Sequence, residues 1–319
     1  MTDIVGLDMP CLDLNVGVDA FPRPNEGGPI RQIAWQGGGK VATGLAAAGR
    51  LGASCAIIGA VGDDLYGRFC LKDFHLHGVN TGRLRVQEGQ STSLSVVLSD
   101  REYGGRSILG KPGSCVMPPM QAEDIALIAD ARCLFIASAD AVRREAAQAA
   151  RQANVKVLMD TDSTDDQTLR LLPLVDILIA SEFFQKALYG GEDYEAQLRD
   201  LTRLGPPVVL FTLGERGCAG LSPQGYFRLP AHPVDTVDTV GAGDVFHGAF
   251  AAAYTRGADA REAARYAGAV SAIKCMYMGG RAGIPNDADT RRFLLDGTIP
   301  RAELDERAAF YERGLEYVP

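Results

Sequence analysis

The sequence has no apolar run approaching the roughly 18 residues of a membrane-spanning helix, which excludes a chain threaded through a bilayer by helices. It has no excess of positive charge: 32 Lys and Arg against 40 Asp and Glu leave a net charge of −8. A general nucleic-acid binder would show a basic face, although a local backbone site can hold an anion even in an acidic protein. Histidine is scarce, at four residues, and none stands at zinc-ligand spacing from a cysteine. There is no CxxC pair. The seven cysteines, Cys11, Cys55, Cys70, Cys115, Cys133, Cys218 and Cys275, are scattered and odd in number. That fits reduced core thiols of a cytoplasmic protein rather than a disulfide frame. The N-terminus carries Asp3, Asp8 and Asp13 with no basic lead-in, so no signal peptide is expected. Internal repeats and low-complexity tracts are also missing.

What is there is 46% hydrophobic and 23% charged, the balance of a globular protein with a substantial core. A length of 319 residues suits one large α/β unit or two ordinary domains. Short apolar runs at 4–7, 55–58, 132–136, 155–159, 177–180 and 208–212 read as buried strands. Between them, 65–77, 141–153 and 196–204 have helical periodicity. This alternation predicts a doubly wound α/β fold, a mainly parallel sheet with helices on both faces. Ligands of such sheets bind at the carboxyl ends of the strands.

Two places depart from the pattern. Residues 12–18 and 30–35 flank a loop rich in Pro and Gly, and 92–99 alternates as a strand, turns at Tyr103-Gly104-Gly105 and returns through 106–109. These segments predict a small separate β-sheet, inserted at two points and hinged as a lid over a cleft. Residues 301–316 are charged and helical in pattern, with no chemistry assigned.

The chemistry concentrates in Asp238-Thr239-Val240-Gly241-Ala242-Gly243-Asp244, which runs into an alanine-rich helical segment. A helix start exposes unpaired N–H groups and the positive end of the dipole. Gly241 and Gly243 let that backbone approach a phosphate. Asp244 then falls in the first turn, where it either caps the helix or accepts a proton during transfer. A second cluster, Gly37-Gly38-Gly39-Lys40-Val41-Ala42-Thr43-Gly44, lacks the spacing of a Walker loop and of a dinucleotide fingerprint. From the residues alone, Asp13 is a surface strand residue or a ligand contact, and Lys40 a solvated helix start or a ligand contact. Asp160 and Asp162 are turn caps or reach a phosphate through metal or water. His247 is expected in the core or just behind the site, and His75 and His77 on the surface. Gly279-Gly280-Arg281-Ala282-Gly283 either shapes a ligand pocket or ends a helix.

Together these residues resemble the ribokinase-like, phosphofructokinase-B (PfkB) type family of sugar kinases, in the right order over residues 4–295. The run from Asp238 to Ala249 fits that family's C-terminal signature. The stretch from Gly38 to Gly52 is similar to its N-terminal one, and Val61-Gly62-Asp63-Asp64-Leu65-Tyr66-Gly67 to the segment that follows. Thr212-Leu213-Gly214-Glu215-Arg216-Gly217 matches its nucleotide-side strand and turn. The resemblance implies a single ribokinase-like domain over 1–319, a Rossmann-type doubly wound sheet with lid strands inserted near 10–36 and 88–111. It implies transfer of the ATP γ-phosphoryl to a hydroxyl of a small carbohydrate with Mg²⁺, and it admits a monovalent cation, whose loop is only partly matched. It also implies a homodimer formed through the lid.

By the same resemblance Asp244 is the catalytic base and Gly241, Ala242 and Gly243 form the anion hole. Asp13, Gly38, Gly39, Lys40 and Thr43 would meet the sugar. Ser181, Thr212, Gly214, Gly217, Gly241, Gly243 and Gly279 would meet the nucleotide. Three departures stand out: Thr43 where Asn is common, Ser181-Glu182-Phe183-Phe184 in place of an Asn-x-x-Glu Mg²⁺ motif, and Ala137-Ser138-Ala139-Asp140 where ribokinases place a glutamate. No metal ligand is assigned, though Glu182 is a candidate substitute. Lys274-Cys275 and the glycines after them resemble sulfofructose kinases and ketohexokinases, which favours a ketose or related sugar. The alternatives are a nucleoside or vitamin kinase of the same fold, or a sugar-binding protein whose kinase activity has decayed.

Overall fold

A strand buried on both faces needs apolar or small residues throughout its buried length, and the middle of β1 (Thr2–Asp8), Ile4-Val5-Gly6-Leu7, supplies them. In the computed structural model, which describes residues 1–100 and 105–317, Ile4 packs into the core on one face of the sheet. Val5 and Leu7 pack into the core on the other. The same division holds in β8 (Ala131–Ile136), where Cys133 and Phe135 face one side and Leu134 and Ile136 the other.

The large sheet has nine strands. Its parallel part joins β1 and β8 to β4 (Cys55–Gly62), β5 (Val79–Gln87), β9 (Lys156–Thr161), β10 (Ile177–Ser181) and β11 (Val208–Thr212). Antiparallel β12 (Cys218–Ser222) and β13 (Gly225–Leu229) finish one edge, giving the order β13-β12-β11-β10-β9-β8-β1-β4-β5. The six strands read from the sequence are all present. Missed by that reading are β5, whose buried and exposed residues are mixed, and the short β12–β13 hairpin.

On one face lie α1 (Lys40–Arg50), α2 (Leu65–Leu76), α8 (Ala242–Thr255), α9 (Ala260–Lys274) and α10 (Asp287–Asp296). On the other lie α3 (Ala122–Ala129), α4 (Ala141–Gln152), α5 (Asp166–Leu171), α6 (Glu182–Leu188) and α7 (Tyr194–Thr202). A second sheet of four strands, in the order β3-β2-β6-β7, is built from β2 (Cys11–Val18), β3 (Gln32–Gly38), β6 (Ser93–Asp100) and β7 (Arg106–Lys111). This is the small sheet expected from the two departures in pattern. Of its expected turn, Tyr103 and Gly104 lie outside the described residues.

The small sheet is fastened by polar groups with no solvent to satisfy them. Gln36 of β3 is fully buried. Its amide nitrogen donates to Met278 O (2.8 Å), and its oxygen accepts from Arg281 N (2.7 Å) and Ala282 N (3.2 Å). Below it Arg281, Asp73 of α2 and Tyr311 of α11 (Ala302–Glu312) form a buried group. Arg281 is ion-paired with Asp73, Tyr311 donates to the same carboxylate, and His77 Nε2 lies 2.8 Å from the Tyr311 hydroxyl. His77 is therefore not the surface residue expected. Burial pushes its pKa down to about 3 and keeps it neutral. His75 is exposed, as expected. The charged C-terminal helix thus closes the underside of the small sheet, with Leu304 and Tyr311 in a cluster that includes Leu12 and Ala34.

A buried ion pair loses more when one partner goes than when both do. Arg281→Met should lower stability by about 3–5 kcal/mol, the cost of stranding one buried charge, whereas adding Asp73→Leu should recover much of that loss. Urea unfolding of the two single variants and the double variant measures it.

Candidate active site

Two helix N-termini meet at the carboxyl edge of the large sheet, and glycine sets how closely. A side chain on Gly248 of α8 would overlap the carbonyl oxygen of Gly44 in α1. One on Gly44 would press on Phe135 and on Asp244 O. With backbones in contact at these points, the starts of α1 and α8 open onto one cleft.

The start of α1 is shaped by Asp8, which ends β1. Its Oδ2 accepts from Ala42 N (2.8 Å) and its Oδ1 from Met9 N (2.8 Å), so it caps the helix from outside the chain segment. The sequence reading gave Asp8 no such role. Gly39 is the N-cap and Lys40 the first helical residue. Lys40 Nζ is ion-paired with Asp162, just past the end of β9, and lies 3.7 Å from Oδ2 of Asp160 within that strand. Thr43 is buried, and a side chain on Gly280 would touch it. Its place is therefore beneath the loop at 279–283.

The start of α8 is a left-handed turn at Gly241 (φ 71°), followed by Ala242, Gly243 and Asp244 in the first helical turn. Gly241 backs directly onto Gly280. Gly243 differs, because a Cβ there would meet nothing within 4 Å beyond the backbone of its own helix turn. His247, one turn on, is buried between the first turn and the sheet. Its Nδ1 stands against Gly243 O, and its Nε2 lies 3.1 Å from Ile179 O and 3.4 Å from Asp160 Oδ1. Its ring stacks on Phe135.

Charge is crowded here. Burial, and then the neighbouring carboxylate of Asp160, raise the Asp244 pKa well above the usual carboxylate range, with Lys40 opposing them. Burial works against the Asp162 carboxylate too, but the hydrogen bond from Lys40 outweighs it and holds that pKa low. Lys40 is itself held protonated by the same two aspartates against the effect of burial. Asp13 of β2 lies against Gly38 so closely that any side chain at 38 would overlap its carboxylate. Burial raises the Asp13 pKa, while the Cys11 thiol, 3.3 Å away, works against that.

The remaining expected residues fall further along the same edge. Ser181, at the end of β10, caps α6 by accepting from Phe184 N (3.3 Å). It pairs in register with Thr212, the last residue of β11. Gly214 and Gly217 flank the tight turn that follows. Gly279 donates its N–H to Asp238 Oδ2 (2.8 Å). Glu182, the candidate substitute in the altered Mg²⁺ motif, is turned towards Lys186 and Arg216 instead.

The pfkB family carbohydrate kinase model matches residues 1–287. The ribokinase of Haemophilus influenzae is 28% identical over 88% of this chain and 94% of its own length. A fructokinase of Klebsiella pneumoniae is 30% identical over 70% of this chain and 77% of its own. Among solved structures, Arabidopsis thaliana ribokinase complexed with ribose and ATP superposes with a TM-score of 0.79 at 25% identity, covering 92% of this chain and 99% of that one. With a cleft that joins a glycine-containing helix start to a carboxylate of raised pKa, and a family match over nearly the whole chain, the protein belongs to the pfkB family of carbohydrate kinases and is a phosphotransferase with an alcohol group as acceptor.

Proposed function

We propose that the protein transfers the γ-phosphoryl group of ATP to a hydroxyl of a small sugar, a ketose or a close relative, with Asp244 as the base. The observation that carries this reading is the position of Asp244. It sits in the first turn of α8, next to Gly243, where a side chain would meet nothing outside its own helix, and burial and Asp160 raise its pKa. Ala242 N–H donates to Thr239 O (3.2 Å) and turns to the phosphate only by sharing that bond. The sugar lies between Asp13 and the backbone of 38–40, under the small sheet. ATP lies along the ends of β10 and β11, past Ser181, Thr212, Gly214 and Gly217, and its γ-phosphate rests on 241–243. As the oxygen–phosphorus bond forms, the hydroxyl proton passes to the Asp244 carboxylate. The N–H groups of 242–244 stabilise charge on the equatorial oxygens, and Lys40 balances the carboxylates that surround them.

A polyphosphate entering a cleft that holds Asp8, Asp13, Asp160, Asp162 and Asp244 needs more positive charge than Lys40 alone supplies. Mg²⁺ fits this donor set, since it keeps several waters and takes one or two carboxylates besides phosphate oxygens. Asp160 and Asp162 would hold it, and it would neutralise charge on the phosphates. The seven free cysteines suit a reducing compartment such as the cytoplasm. Strand β7 is exposed along its whole length and carries Ile108 and Leu109 at 57% and 61% exposure. An edge of that kind suits pairing with the same edge of a second copy. Light scattering should give twice the chain mass, and Ile108→Lys should reduce it to one.

Coupled ADP release across a panel of ketoses, aldoses, sugar acids and nucleosides tests the activity itself. Asp244→Asn should lower kcat by at least the 10²–10⁴ typical of a general base, while nucleotide binding persists. Gly243→Ala should separate function from fold. It should raise the melting temperature slightly, because Ala is favoured over Gly in a helix by about 1 kcal/mol, yet depress turnover by filling the space next to the phosphate. Retention of full turnover by either variant would overturn this assignment.

The pH profile follows from the same charges. The base works only when ionised, so kcat/KM should rise with pH through an ionisation above the usual carboxylate range. Lys40 opposes the upward shift of Asp244, so Lys40→Met should move that limb to higher pH. A limb that stays in place would remove Lys40 from the electrostatics of the base.

A further inference from the structure

Lys274 ends α9 and is fully buried, yet the reaction above makes no use of it. An ammonium in a protein interior is costly unless its charge and hydrogen bonds are answered. Lys274 Nζ donates to the backbone carbonyl of Asp238, 2.9 Å away. Asp238 is the first residue of the turn that becomes the anion hole, and its other polar groups are engaged as well. Its N–H reaches Cys275 O (3.1 Å), and its carboxylate accepts from Ser99 Oγ (3.2 Å), Val240 N (3.0 Å) and Gly279 N (2.8 Å). The ammonium thus stands at the root of the loop 238–243, within the last turn of a helix, where the dipole favours a cation. Burial lowers its pKa, with the neighbouring Cys275, Asp238 and Asp244 working against that.

We propose that Lys274 is a tethered monovalent cation for the anion hole. Its charge, delivered through the Asp238 carbonyl, holds 238–243 in shape and raises the potential at the N–H groups of 242–244. Phosphoryl transfer then needs no dissolved K⁺ or Na⁺. A dissolved cation at this carbonyl would have to share it with the lysine ammonium, 2.9 Å away, and be repelled by that charge. A tethered charge also carries no dependence on salt concentration. Lys274 touches neither reacting atom and is a positioning residue. The inference rests on the ATP-dependent kinase reading above.

The test uses the full chain and a sugar that supports ADP release, in choline chloride, KCl and NaCl at equal ionic strength. Turnover should be the same in all three. Lys274→Met should lose about 10²-fold in kcat, the scale of losing one anion-hole donor, with sugar KM little changed. Calorimetry should show weaker binding of a non-hydrolysable ATP analogue to that variant. Methylammonium should restore part of kcat to Lys274→Ala and have no effect on the wild type. Where thermal unfolding shows that the variants do not fold, the wild-type salt series decides alone. Turnover that appears only with K⁺ or Na⁺, or full kcat in Lys274→Met, overturns the proposal and leaves the kinase reading standing. No ADP release with any sugar in any salt overturns both.

Discussion

The site depends on two helices touching backbone to backbone. Side chains on Gly44 or Gly248 would force α1 and α8 apart, and the cleft between their N-termini would open by the width of a methyl group or more. Everything else at the site takes its position from that contact. Lys40 begins one helix and Asp244 lies in the first turn of the other, and both face the end of β9. Phosphoryl transfer asks little covalent chemistry of a protein and a great deal of placement, so a glycine contact far from any ligand has a large share in it. The alanines of α8 and α9 extend the same close packing behind the site.

The cleft is acidic, although its substrate is an anion. Two kinds of positive charge reconcile these facts. One is diffuse, in the N–H groups at the starts of α1 and α8. The other is discrete, with Lys40 between the β9 aspartates and Lys274 beneath the turn at 238–243. The aspartate cluster has its own effect, since Asp160 makes it harder for Asp244 to ionise and so makes it a better proton acceptor once ionised.

Much of this was legible in the sequence where the signal was local. Apolar runs located the parallel strands, the two departures from alternation located the small sheet, and the turn from Asp238 to Asp244 identified the helix start. The illegible parts join residues far apart in the chain. Gln36 reads as one more polar residue in a strand, and only its partners at 278, 281 and 282 explain its burial. His77 lies among polar residues at the end of an amphipathic helix, and its partner Tyr311 is 234 positions away. Asp8 was counted as part of an acidic N-terminus, yet it caps a helix that starts more than thirty residues later. Lys40 was legible as the start of a helix, but its pairing with Asp160 and Asp162 was not, because neither aspartate's direction follows from the strand before it.

Gly243 carries a consequence for how such a protein ages. Most glycines at the site are kept by the fold itself, since a methyl group at 44, 241 or 248 would collide with backbone or core. Position 243 has no such guardian. A lineage that had abandoned the chemistry would meet no folding penalty for alanine there, and would gain a little helix stability. Drift would erase this glycine early and the others late. An intact glycine at 243 is therefore a better witness to a working enzyme than the whole of the surrounding architecture, which a retired one would share.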